Sequence, residues 1–137
     1  LDESGIEDAE LMSKQLLIKE FKPDLIISSG ANRALTTSKI ISNTLNYLYE
    51  KIEINNNIYN STYDVIIDIV REVPDNCDKL MIAGHNPSFH CLTQILSNEL
   101  VVKFSSCSMF CVEFDNEKWP NIKKGKKKFM IYPSLYR

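Results

Sequence analysis

The sequence predicts an α/β sandwich on a mostly parallel sheet, from three observations. Two short apolar runs, Leu25-Ile26-Ile27 and Leu80-Met81-Ile82-Ala83, end in small residues and then give way to helical spacing. Continuous apolar runs of that length suit parallel strands covered on both faces. Strands and helices alternate for most of the 137 residues, and neither a linker nor a long internal repeat divides them, so a single domain spanning 1–137 is expected.

The first helix is read from about Ser4 to Phe21. Ile6, Ala9, Met12, Leu16 and Leu17 recur at helical spacing, and early acidic residues suit the helix dipole. Lys22-Pro23-Asp24 closes it ahead of the Leu25 strand. A second helix follows from Ala31 to about Asn46, with Ala34, Ile40, Ile41, Leu45 and Leu48 as core candidates. Ile52-Glu53-Ile54 is a short strand, and Asn55-Asn56-Asn57 a polar turn. Ser61 or Thr62 caps a helix to about Glu72, striped with Val65, Ile66, Ile69, Val70 and Val73. After the Leu80 strand, Gly84 provides a sharp turn and Pro87 the first turn of a helix carrying Phe89, Leu92, Ile95 and Leu96. The ending is β-rich: a strand from Ser108 to Phe114, a turn at Trp119-Pro120, and a strand from Phe129 to Tyr132.

Composition narrows the function classes. A formal net charge of −2 gives no chain-wide argument for nucleic acid. The lysines 123, 124, 126, 127 and 128 could draw in a phosphorylated partner, but read first as a solvated loop guarding an edge strand. Cys77, Cys91, Cys107 and Cys111 form no C-x-x-C pair, which suits reduced thiols in a cytosol; Cys107 and Cys111 are expected on one face of a strand. No apolar run reaches the roughly 18 residues of a membrane span and no signal peptide opens the chain, so a cytoplasmic protein is expected.

Chemistry concentrates at the two corners. His85 stands where the Leu80 strand ends and a helix begins, the position at which open α/β sheets bind ligands and helix N–H groups favour anions. His90, inside that helix, reads as half-buried packing. Arg33, in SSGANRA, sits in the first turn of a helix, where a cation is mildly disfavoured. A bidentate phosphate contact and a plain surface arginine explain it equally well from spacing alone. Metal binding is the weaker reading of His85 and His90, five apart with no carboxylate between them. There is no G-x-S-x-G for a serine hydrolase, and four glycines are too few for a P-loop or dinucleotide site.

PDLIISSGANRALTTSKII, from Pro23 to Ile41, and KLMIAGHNPSFHCL, from Lys79 to Leu92, resemble the two signature segments of the histidine phosphatase superfamily, and specifically its SixA-type phosphohistidine phosphatases. Leu1, Gly5, Ala9 and Met12 are in step with that group's early helix, and CVEFDNEKW is similar to its ending. The resemblance implies a three-layer α/β/α sandwich of the phosphoglycerate mutase-like kind, with an antiparallel strand near the C-terminus. It also implies a phosphatase acting through a phosphohistidine intermediate, without metal or cofactor, on a phosphorylated substrate such as a phosphohistidine-bearing signalling protein. By motif, Arg33 becomes a phosphate-binding arginine, His85 the second active-site histidine, and Asn86 a phosphate-site residue that supports its orientation. Gly30 replaces a usual proline, and no acid stands near Ile58-Tyr59-Asn60, where larger relatives carry a proton donor. The Arg-His motif that supplies the nucleophile is not in these residues. Its strand is expected upstream of Leu1, lying centrally between the Leu80 strand and the strand from Ser108 to Phe114. A silent phosphate- or phosphoprotein-binding domain is the alternative.

Overall fold

Asp2 starts the first helix by accepting a hydrogen bond from the Gly5 N–H at 2.8 Å, and α1 runs Glu3–Ile18. In the computed structural model, which describes residues 1–115 and 117–137, it is followed by β1 (Leu25–Ser28), α2 (Asn32–Thr44), β2 (Glu53–Ile54), α3 (Tyr63–Arg71), β3 (Leu80–Ala83), α4 (Ser88–Ser97), β4 (Met109–Glu113) and β5 (Lys126–Ile131). β1 lies between β2 and β3, parallel to both, and β4 pairs antiparallel with β5.

Side-chain alternation along the strands separates two cores. Met12 and Leu16 of α1 and Ile41 and Leu45 of α2 pack with Met81 of β3, Met109 of β4 and Ile131 of β5. On the opposite face, Ile66 and Val70 of α3 and Leu92 of α4 pack with Ile27 of β1 and, half-buried, Leu80 and Ile82 of β3. Helices therefore cover both sides of the strand layer, giving the expected three-layer α/β/α sandwich with its antiparallel C-terminal pair.

Several local expectations are corrected. α1 stops at Ile18, four residues ahead of Lys22-Pro23: Glu20 adopts φ 59°, its N–H donates to Leu17 O, and the Phe21 N–H donates back to Leu16 O at 3.0 Å, a Schellman ending. Ile6, Leu17 and Leu48, expected in the core, are exposed: Ile6 and Leu17 fall off the stripe defined by Met12 and Leu16, and Leu48 lies beyond the end of α2 at Thr44. Thr62 holds the N-cap position of α3 without a side-chain capping bond, and the Ser61 hydroxyl donates to Ile58 O instead. Cys107 lies in a turn at φ 62°, outside β4, so it and Cys111 do not share a strand. Lys126, Lys127 and Lys128 belong to β5 rather than to a loop. A bulge opposite Cys111/Val112 lets these exposed residues continue the pairing, and Lys128 meets Glu113 at 3.1 Å.

β3 is half-buried along its whole length, although its composition suits a strand at the centre of a sheet. Among the described residues it pairs with β1 alone. Its other edge borders a cavity of about 1620 Å³ that runs to β4 and is lined from both helix layers, by Leu16, Ala34 and Ile41 on one side and Val70, Phe89 and Leu92 on the other. Leu1 also lines it.

Candidate active site at the ends of two parallel strands

Register places the two corners together. Ser28 of β1 is level with Ala83 of β3, and the Ser29 N–H donates to Ala83 O at 3.0 Å, so the chain leaves both strands at the same height. The next side chains meet: His85 Nε2 lies 2.9 Å from Ser29 Oγ. That hydroxyl oxygen also accepts from the Ala31 N–H at the start of α2. Behind it, Ser38 Oγ donates to Ser28 Oγ at 3.0 Å, tying the buried face of α2 to β1. Arg33 is the second residue of α2, so this small-residue network sets where its guanidinium emerges.

Arg33, His85 and Asn86 all border the one cavity. Arg33 is exposed and His85 half-buried. Burial, and then the positive charge of Arg33, lower the imidazole's pKa below its ordinary value. With Nε2 on Ser29, Nδ1 is the ring nitrogen left for a ligand. Asn86 is held at both ends of its amide: Nδ2 donates to Phe104 O at 2.6 Å, and Oδ1 accepts from the His90 N–H at 3.1 Å. It braces the turn that carries His85 and keeps one N–H for a ligand. His90 points elsewhere, its Nε2 against Val101 O at 2.5 Å.

The glycines at the corners have steric reasons. A Cβ on Gly84 would stand 2.2 Å from the Phe89 ring and 2.7 Å from a methyl of Ile58, and one on Gly30 would stand 2.2 Å from Asn56 Oδ1. Neither has positive φ, so the sharp-turn rationale for Gly84 is replaced by close packing under the His85 turn. Asn56 fills the space that a proline ring at position 30 would need.

Sequence reading missed two neighbours of His85. Ser29 is marked in the sequence only by its place in the small polar stretch after the Leu25 run, and its meeting with His85 depends on strand register. Tyr59, whose ring centroid is 5.3 Å from that of His85 at 83°, carries no sequence signal.

A structure from Nakamurella multipartitia, assigned as the phosphohistidine phosphatase SixA, matches with a TM-score of 0.86 at 15% identity, over 97% of this chain and 84% of its own. The protein histidine phosphatase SixA complexed with tungstate matches with a TM-score of 0.86 at 16% identity, over 100% of this chain and 86% of its own. The fold is that of the SixA phosphohistidine phosphatases. A further SixA-assigned structure, from Agrobacterium tumefaciens, shares 25% identity over 69% of this chain and 59% of its own, with a TM-score of 0.61. No family model matches the sequence, and no curated protein matches it. The likeness to the SixA structures is thus carried by backbone geometry, with identity low enough that side-chain roles rest on this chain's own site. Among the described residues no group of His, Cys, Asp and Glu could hold a metal ion, the four cysteines are free thiols, and no helix is long and apolar enough to cross a membrane.

Proposed function

We propose that this protein is a phosphatase of the SixA type, which transfers the phosphoryl group of a phosphohistidine or phosphomonoester to a histidine of its own and then to water. The observation that carries it is the convergence of Arg33 and His85 on one cavity at the carboxyl ends of β1 and β3. A permanently charged guanidinium and an imidazole with a free Nδ1 suit the equatorial oxygens of a transferring phosphoryl group, where charge stabilisation and positioning dominate. Tungstate, bound by the similar SixA structure, is an oxyanion of the same tetrahedral shape.

Of the two histidines, His90 faces Val101 O, and we assign the free Nδ1 of His85 to the phosphoryl oxygens rather than to attack on phosphorus. We assign the nucleophile to an extended strand seated in the gap between β3 and β4 and leading into Leu1, which lines that gap. The cavity exceeds the roughly 300–1000 Å³ of small-ligand clefts and lies between two strand edges that are unpaired among the described residues, as a strand's seat would. In the first step the histidine nitrogen bonds to phosphorus as the bond to the leaving group breaks, and the leaving group takes up a proton. In the second, water attacks phosphorus, the P–N bond breaks, and inorganic phosphate departs. The substrate class we favour is a phosphohistidine-bearing signalling protein in the cytosol, a setting that four free thiols suit. That the described residues bring no second histidine to the cavity beside His85 favours one alternative, a silent phosphoprotein-binding domain.

Turnover of p-nitrophenyl phosphate and of a phosphohistidine protein by the full-length protein tests this. Arg33→Ala and His85→Ala should each lower kcat by about 10²- to 10³-fold. Turnover that ignores both changes would remove the site, and oxyanion binding without turnover would establish the alternative.

A further inference from the structure

Tyr59 packs against His85, and the phosphoryl chemistry leaves it unused. Its ring meets the His85 ring edge to face at 5.3 Å, yet the residue is 63% exposed. The backbone beneath it is fixed. Ile58 is fully buried against the space at Gly84, the Ser61 hydroxyl donates to Ile58 O at 2.6 Å, and Asn60 takes φ 54°. Among the described residues its phenol hydroxyl has no hydrogen-bond partner. Burial of Ile58 before it and the Ser61 hydrogen bond after it therefore fix the backbone of the aromatic residue, while the fold makes little use of its ring.

We infer that Tyr59 is a specificity-determining residue: its ring forms a wall for the group attached to phosphorus, and favours a planar ring such as imidazole or phenol over an aliphatic chain. This rests on the reading of Arg33 and His85 as the oxyanion site. With the oxyanion on those two groups, a flat substituent leaving toward solvent on the Tyr59 side finds a ring already oriented by its contact with His85. Ring-on-ring contacts of this kind carry a preference of about twofold to tenfold. The phenol hydroxyl is not needed for it.

Non-hydrolysable ligands separate this inference from the reading beneath it. Dissociation constants of phenylphosphonate, methylphosphonate and sulfate are measured by calorimetry on the parent protein and on Tyr59→Phe, Tyr59→Leu and Tyr59→Ala. Phenylphosphonate should bind the parent and Tyr59→Phe about threefold to tenfold more tightly than methylphosphonate, and this ratio should fall toward one in Tyr59→Leu and Tyr59→Ala while sulfate binding is kept. An unchanged ratio in Tyr59→Ala, no ring preference in the parent, or a loss in Tyr59→Phe as large as in Tyr59→Ala would overturn the inference and leave the oxyanion site standing. If none of the three anions binds the parent, the oxyanion site falls, and this inference with it.

Discussion

Two effects favour the neutral ring of His85 in the free protein, and on the proposed reading a bound anion reverses one of them. Burial disfavours the imidazolium, and Arg33 repels it; an oxyanion between the two offsets the repulsion and favours the charged ring. The sign follows: the pKa of the free site lies below the ordinary histidine value, the pKa of the liganded site lies above that of the free one, and binding takes up a proton between them. Sulfate stays a dianion throughout, so its affinity should rise as pH falls through that window and level off below the free-site pKa. Calorimetry from pH 8 to pH 5 checks this. His85→Gln should flatten the profile and His90→Gln should leave it; a flat parent profile would show that His85 does not face the anion. The pairing of Arg33 with His85 was legible because both follow apolar runs that end alike. Ser29 and Tyr59 were not, since what places them beside His85 is strand register and the packing of Ile58 under Gly84, and neither is written in local spacing.

Element boundaries are set in several places by residues whose type conceals the job. The left-handed positions among the described residues fall on Glu20, Asn46, Asn60, Asn98 and Cys107, and none on a glycine. Asn46 ends α2 in the same way that Glu20 ends α1, with the Tyr47 N–H donating to Ser42 O at 2.8 Å. Asparagine tolerates this backbone, so Asn46 is a legible stop, whereas glutamate gives no warning of one at Glu20 and the helical spacing carries on to Phe21. Glu20 is exposed, and its left-handed geometry costs about 1–2 kcal/mol relative to glycine, against roughly 0.5–1 kcal/mol of extra chain entropy that glycine loses on folding. Glu20→Gly should therefore stabilise the protein by about 0.5–1 kcal/mol in urea unfolding. Lys14→Gly, in the exposed interior of the same helix, should destabilise it by about 1 kcal/mol. Equal signs for the two would mean that the Schellman geometry is absent in solution. The lysine run conceals its strand for a related reason: three successive charges look like a loop, and the bulge that accommodates them in β5 depends on the partner strand.

On the scale of the whole molecule, the central question is what closes the strand layer between β3 and β4. The layers themselves were legible, because apolar stripes on four helices and apolar runs in the strands require a sandwich. The half-buried state of β3 was not, because it depends on a neighbour and the strand's own composition describes a buried centre. Leaving those edges open would expose unpaired N–H and C=O groups together with the apolar lining from both cores. Hydrogen exchange can resolve this at single amides. The carbonyls of Lys79, just ahead of β3, and of Ala83 accept from Leu25 and Ser29 on the β1 side, and N–H and C=O of one residue point to the same edge, so Met81 and Ala83 address β1 while Leu80 and Ile82 address the gap. With a strand seated in the gap of the full-length protein, the Leu80 and Ile82 amides should be protected as strongly as those of Met81 and Ala83. Slow exchange confined to Met81 and Ala83, with Leu80 and Ile82 exchanging at rates typical of an exposed edge, would mean that the gap stays open and that the nucleophile has to be sought elsewhere.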